Sequence, residues 1–534
     1  MKAYPKLPSI AAMLLAVNST AALCAKHAVL DAQVRIPAGA ILGSSRDESG
    51  VLAFKGVPYA APPVGPLRWH APEPAEPWAG VRKADQFGNR CFSAWTQDRE
   101  PGPPRSEDCL NLNIWTAAQT AGERRPVMVW LHGGGFQFGS SASRQFEGAP
   151  LARKGVIVVS LNYRLGVLGY LAHPELDREG PSGNYGLQDQ LAALRWVKAN
   201  IARFGGDPAN ITLFGESAGA HAVGLLMASP LSRGLFQKAI AQSGAFWDAK
   251  TGPLESFDEA HARGVAFATR HGGGSIAALR AMPAQAVNAA APWDFSMIPM
   301  VTTFSPNVDR FVVPEIPATR FNHQRQMHIP LLGGWMAAEQ FPFDAHGLPH
   351  HSAAQFRAAA AEMFGADRLS EFLRLYPADS DTQANESAGA LTGDLVISEQ
   401  TWQLLQQQQR SGAPVFGYKF TYASPYTPVA SHITDVPFVF GTLTPQFILN
   451  STVPAGPADR AFSDQLMAYW VNFAARSNPN GRGLPHWPAF GPEGIVQNLG
   501  MTIAPQANTQ AARFAFIASF RRDGEFPARW RGLR

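Results

Sequence analysis

An α/β fold with a large, mostly parallel central sheet flanked by helices is predicted from three observations. Three short, β-rich apolar runs occupy 125–132 ("RPVMVWLH"), 155–164 ("GVIVVSLNYR") and 210–215 ("NITLFG"), and read as buried strands. A helical pattern fills 184–206 between the second and third, with Leu187, Leu191, Leu194, Val197 and Ile201 on one face. Strand, helix and strand joined by connections of this length close a parallel pair.

The chain has 534 residues, 46% hydrophobic and 16% charged, which describes a globular chain with a large core and a lightly charged surface. A net charge of +4 over this length gives no argument for nucleic acid or an anionic membrane as partner. The basic C-terminal stretch "SFRRDGEFPARWRGLR" reads as a solvated tail. Nothing in the pattern specifies an oligomeric state.

Residues 1–25 have the layout of a signal peptide: two lysines, an apolar run from about Leu7 to Val17, then small residues. The run is too short to span a bilayer, and no later run is long enough. Cys24 follows Leu23, where a lipidation site wants a small residue, so export to the periplasm or medium after cleavage near Ala22–Ala25 is expected. That leaves Cys91 and Cys109, which in an exported chain predict one disulfide across a polar, proline-rich loop. The alternative is two buried thiols.

Further β-like runs lie at "VRIPAGAILG", "VLAFKGVPYA", 328–335 and 413–422. The 184–206 helix stops at Gly205–Gly206, with Pro208 just after. A second helix follows Ser217 and ends before Pro230. Alanine-rich helical segments dominate about 255–410 and read as a cap inserted into a single domain covering 26–534.

The chemistry centres on "GESAG". A Gly-x-Ser-x-Gly pentapeptide between a strand and a helix forces the serine into a strained turn, with glycines where strand and helix approach. Ser217 is thereby a candidate nucleophile, and Gly215 and Gly219 give steric clearance. The glycine run in "LHGGGF" ends an earlier strand, and the amides of Gly134, Gly135 and Ala218 are candidate oxyanion donors. A serine nucleophile needs a base and an orienting acid, in the chain order serine, acid, histidine for this turn type. That order excludes His132 and His173. His221, one turn beyond the serine, reads as a packing or helix-surface residue. His432 is well downstream, in a loop, and is the candidate base. Glu339 leads for the acid, with Asp309, Glu315 and Asp344 as rivals. His346, His350 and His351 lack a regular metal-ligand spacing, so no metal or cofactor is expected.

The carriers "FKGVPYAAPPVGPLRW", "SEDCLNLNIW", "PVMVWLHGGGF", "LNYRLGVLGYL", "GNYGLQDQLAALRWVKANIARFGGDPANITLFGESAGA" and "YWVNFAARSNPNG" run from about Val34 to Phe490. On them the chain resembles the type-B carboxylesterases, the cholinesterase-like branch of the α/β-hydrolases that includes bacterial para-nitrobenzyl esterases. The resemblance implies an α/β-hydrolase fold and hydrolysis of small-molecule carboxylic esters through an acyl-enzyme. It implies Ser217 as nucleophile, Glu339 as acid, His432 as base, Gly134, Gly135 and Ala218 as oxyanion donors, and a Cys91–Cys109 disulfide. The sequence departs from the family pattern around the acid, Ala338-Glu339-Gln340 in place of Asp-Glu-Gly. It also departs before the base, Val429-Ala430-Ser431 in place of a Gly-Ala approach. Phe136, Phe138, Phe246 and Trp247 are candidates for an acyl or alcohol pocket, with core packing as the alternative. Two rival readings are an esterase specialised for one natural polyester, toxin or phenolic ester, and a non-catalytic adhesion member. Members of the second kind typically lose the serine, which is present here.

Overall fold

The computed structural model describes residues 29–94, 101–245, 254–292, 295–297, 300–302, 304–340, 352–445 and 452–521. The signal segment 1–25 and Phe246, Trp247, Asp344, His346, His350 and His351 lie outside the described residues.

Among those residues the core is a 10-stranded sheet. Its strands are β1 (Leu52–Pro58), β2 (Asn111–Thr116), β3 (Arg125–Leu131), β4 (Ile157–Leu161) and β5 (Gly206–Glu216). They continue with β6 (Lys238–Gln242), β7 (Leu331–Met336), β8 (Val415–Phe420), β9 (Ile495–Leu499) and β10 (Ala504–Ala507). The spatial order is β10-β9-β8-β7-β6-β5-β3-β4-β2-β1. All pairings from β9 to β4 are parallel, and β10, β2 and β1 close the edges antiparallel. The run at "VRIPAGAILG" forms a hairpin in a separate small sheet.

The helices used below are α1 (Tyr185–Asn200), α2 (Ala218–Ala228), α3 (Phe257–Gly272), α4 (Ala353–Phe364), α5 (Asp381–Gly393), α6 (Glu399–Gln409), α7 (Val436–Phe440) and α8 (Pro457–Arg476). A parallel sheet covered on both faces needs strands apolar on both sides. Val127 to Leu131 of β3 accordingly lose all exposure. Each such side chain contributes roughly 1.5–3 kcal/mol relative to leaving it in water. Four of the five predicted apolar positions lie in α1 and the fifth, Ile201, directly follows it; all five are buried. The helix tightens over Ile201–Phe204 and stops where Gly205 turns left-handed at φ 84°, a conformation that favours glycine.

The helical stretch expected at about 255–410 is helical, but β7 runs through it and pairs with β6 and β8. The helices therefore fall into two groups, one on each side of β7 in sequence. Glu339 lies just beyond the end of β7. Cys91 and Cys109 are joined, with Cα atoms 5.0 Å apart and a separation of 18 residues. Closing a loop of that size stabilises the fold by about 3 kcal/mol in the chain-entropy account. Among the described residues no helix is long and apolar enough to cross a membrane.

Candidate active site

Ser217 occupies the turn between β5 and α2, with φ 55° and ψ −125°. A serine at positive φ is strained, and such strain persists only where surrounding structure imposes it. The glycines on either side show how. A Cβ on Gly219 would sit 2.0 Å from the carbonyl oxygen of Leu131 at the end of β3. A Cβ on Gly215 would sit 2.5 Å from the carbonyl carbon of Gly219. The start of α2 is thus pressed against the ends of two strands, and only hydrogen fits between them. The turn is held from the side as well. The Ser217 amide donates to the Gln242 carbonyl at the end of β6 (3.0 Å). The Ser217 carbonyl accepts from the His221 amide (2.9 Å) and from His221 Nδ1 (2.8 Å).

The glycine loop after β3 passes directly over this turn. A Cβ on Gly133 would lie 3.0 Å from Ser217 Cβ. Gly134 and Gly135 take φ 110° and 60°. A side chain on Gly134 would strike the Phe138 carbonyl at 2.2 Å, whereas Gly135 faces open space. The Gly134 carbonyl is turned away and accepts from the amides of Gln137 and Phe138. Among the described residues, the amides of Gly134, Gly135 and Ala218 have no acceptor. His132 braces the loop from beneath. Its ring stacks on Tyr163 at 4.5 Å, and the Tyr163 hydroxyl donates to the His132 carbonyl (2.8 Å). Burial pushes the His132 imidazole down to about 4, so it is neutral.

His432 and Glu339 meet across 93 residues of chain. His432 Nδ1 lies 2.6 Å from Glu339 Oε2. The other Glu339 oxygen accepts from the Met336 amide (2.7 Å), at the end of β7. The two loops are stitched by backbone: Ala338 bridges Ser431, and the Ala338 amide donates to the Ala430 carbonyl (2.9 Å). The residues that depart from the family pattern therefore form the contact between acid loop and histidine loop. Main-chain hydrogen bonding does not depend on which side chains stand there.

Two carboxylates that sequence reasoning passed over also face this histidine. Glu216, next to the serine in "GESAG", is buried with Oε1 3.2 Å from His432 Nε2. Burial holds its carboxyl above the usual range, against the lowering effect of His432. Burial would lower the His432 imidazole, but the charges of Glu216 and then Glu339 outweigh it and raise it above its ordinary value. Asp435 precedes α7, and its Oδ2 accepts from Gln242 Nε2 (2.9 Å) and the Tyr418 hydroxyl (2.9 Å). Burial pushes it up to about 6, opposed by those two hydrogen bonds. Gln242 Oε1 in turn accepts from Trp470 Nε1 of α8 (3.1 Å). Gln242 thus joins the serine turn, through its carbonyl, to the histidine loop, through its side chain. The spacing of Glu216 and Asp435, one residue from the serine and three from the histidine, was the available signal.

The remaining candidates sort by position. Asp309 accepts from the amides of Phe311 and Val313, and Glu315 pairs with Arg320 and Arg325. Neither meets His432 in any contact described. His221 is fully buried behind the serine, so of its two expected readings packing holds and helix surface does not. Phe136 is 0% exposed and edge-on to Tyr170 at 5.6 Å. Phe138 is partly exposed. No group of three or more His, Cys, Asp or Glu side chains suited to a metal ion occurs among the described residues.

A family profile described as the carboxylesterase family matches residues 30–517. The chain is 37% identical over 470 residues to fumonisin B1 esterase of Sphingopyxis macrogoltabida, covering 85% of this chain and 84% of that one. It is 35% identical over 458 residues to para-nitrobenzyl esterase of Bacillus subtilis (strain 168), covering 83% and 90%. A solved structure of PNB esterase superposes with a TM-score of 0.78 at 31% identity, covering 91% of this chain and 99% of that one.

Proposed function

This chain belongs to the carboxylesterase family and is a carboxylic ester hydrolase, and on that premise we propose that Ser217, His432 and Glu339 carry the reaction. The observation that supports this reading most is the convergence of the strained serine turn, the open glycine amides and the Glu339–His432 pair at the ends of β5, β3 and β7. His432 takes the Ser217 proton as the oxygen attacks the ester carbonyl. Glu339 accepts from the Nδ1–H of His432, which fixes the ring's tautomer and orientation, and it stabilises the imidazolium. The amides of Gly134, Gly135 and Ala218 receive the tetrahedral oxyanion, each lost donor costing roughly 3 kcal/mol in the barrier. His432 then protonates the leaving alcohol, and water repeats the sequence on the acyl-enzyme.

The acyl-enzyme is directly testable. A fluorophosphonate ester is expected to modify the protein once, on the peptide carrying Ser217, with loss of para-nitrophenyl acetate hydrolysis in proportion. Modification elsewhere at full loss of activity sinks the assignment. A panel of para-nitrophenyl esters of increasing acyl length, with fumonisin B1 beside them, reads the substrate class, since one relative bears that compound in its name. The Cys91–Cys109 disulfide and the apolar segment near the N-terminus support export of the chain.

Glu216 gives a pH prediction. Hydrolysis needs neutral imidazole, so kcat/KM rises with pH through the His432 titration. A negative neighbour favours imidazolium and raises that titration; its removal lowers it. Glu216→Gln is therefore expected to move the acid limb of the kcat/KM profile to lower pH by about one unit or more. An unmoved limb shows that Glu216 carries no charge felt by His432.

A further inference from the structure

Glu339 is gripped at both carboxylate oxygens, by Met336 and by His432. The backbone of its loop is seated by a different part of the chain. Gly393, the last residue of α5, is buried against the back of that loop. A Cβ on Gly393 would lie 2.9 Å from the Gln340 amide nitrogen, 3.1 Å from Glu339 Cβ and 3.3 Å from its carbonyl carbon. Gly393 has φ −62° and ψ −39°, ordinary right-handed helix. Backbone torsion therefore does not require glycine here, and glycine costs roughly 0.5–1 kcal/mol relative to alanine within a helix. Close approach to the acid loop is the requirement that remains.

The chain next winds through a π-helical turn, Asp394–Ser398, all of it buried. Such turns occur mostly as bulges inside α-helices and are frequent at functional sites. This one is anchored by Asp394, which accepts from the Tyr376 hydroxyl (2.8 Å) and Gln510 Nε2 (2.8 Å) and pairs with Arg513. Gln510 Oε1 accepts from Trp335 Nε1 (3.0 Å). Trp335 directly precedes Met336, whose amide holds Glu339. The contacts therefore form a ring: Glu339, Met336, Trp335, Gln510, Asp394, Gly393 and back to Glu339.

We propose that Gly393, at the head of this π-turn, is a positioning residue for the acid: its bare Cα lets the Glu339–Gln340 backbone seat where the carboxylate meets His432 Nδ1. This rests on the reading of Glu339 as the acid. A methyl group at 393 pushes the loop by a few tenths of an ångström, lengthens the Glu339–His432 hydrogen bond and leaves substrate contacts alone.

The test is a double-mutant cycle on the full chain with a para-nitrophenyl ester. Gly393→Ala is expected to lower kcat by about tenfold with KM within about twofold, since small misplacements of catalytic groups are costly. It also moves the acid limb to lower pH, because the Glu339 charge that raises the His432 titration is further away. Glu339→Gln alone lowers kcat by about 10⁴. In that background Gly393→Ala changes kcat by less than about twofold, because the residue acts through Glu339. Equal losses in both backgrounds overturn the proposal, as does a lowered melting temperature with unchanged kcat and pH profile. If Glu339→Gln keeps full activity, the acid assignment itself fails. If Glu339→Gln collapses and Gly393→Ala is silent, only the positioning role fails. Should Gly393→Ala not accumulate as folded protein, Gln510→Ala opens the same ring without adding atoms and is read the same way. It is expected to cost a few-fold in kcat that vanishes in the Glu339→Gln background, and a loss equal in both backgrounds, or none in either, overturns the proposal.

Discussion

Ser217→Ala is expected to lower kcat by about six orders of magnitude while leaving the melting transition unchanged. The size follows from losing the covalent route altogether; what survives is binding and the oxyanion donors. The unchanged stability follows from the turn. Both residues carry a Cβ, so the strain at φ 55° is the same. The hydrogen bonds that hold the turn use the amide and carbonyl of residue 217, which alanine keeps. Steady-state hydrolysis of a para-nitrophenyl ester by purified variant checks this. Residual activity above about one part in a hundred, free of wild-type contamination, would show that the nucleophile lies elsewhere.

His432→Gln is expected to cost nearly as much, about 10⁶ in kcat, because the serine hydroxyl without its base is a poor nucleophile at neutral pH. The residual rate should also lose the acid limb that the imidazole imposes. The double variant Ser217→Ala with His432→Gln is expected to be no slower than either alone, as for residues that act as one unit. Additive losses in the double variant would sink the shared mechanism. Unlike the serine change, this one should lower the melting temperature. Glu339 and Glu216 both face the imidazole in a buried site, and glutamine leaves them without their positive partner.

Much of the frame was legible because its causes are local. Runs of β-branched residues predicted β3, β4 and β5, and the 3.6-residue spacing of leucines predicted α1. The glycines of "GESAG" were read as clearance for a close strand–helix approach, and the distances at Gly215 and Gly219 bear out that steric reason. The disulfide was legible because two cysteines remained in a chain expected to be exported. The helical segments within 255–410 and the β-like run at 328–335 were both read from local pattern, but that this run enters the central sheet as β7 and divides the helices depends on pairing with β6 and β8.

The acid was harder. Glu339 follows a β-like run, which put it ahead of Asp309 and Glu315, but contact with His432 distinguishes them only in the folded chain. Sheet order decides that. β7 lies beside β8, and the loops leaving their ends are joined by the Ala338–Ser431 bridge, which places a carboxylate against an imidazole 93 residues away. The same holds for Gln242 and Asp435, 193 residues apart, and for Gly393 behind Glu339.

The α/β class, the serine turn between its glycines and the glycine loop could be read from the chain because each leaves a short motif, even where the close approach behind it comes from a distant strand, as Leu131 meets Gly219. That Glu216 and Glu339 flank one imidazole, that Asp309 and Glu315 make no described contact with it, and that Gly393 packs against the Glu339–Gln340 backbone are visible only in the folded chain. Those contacts exist because parallel strands bring distant loops to the same end of the sheet, and burial there strengthens every charge that a sequence lists without position.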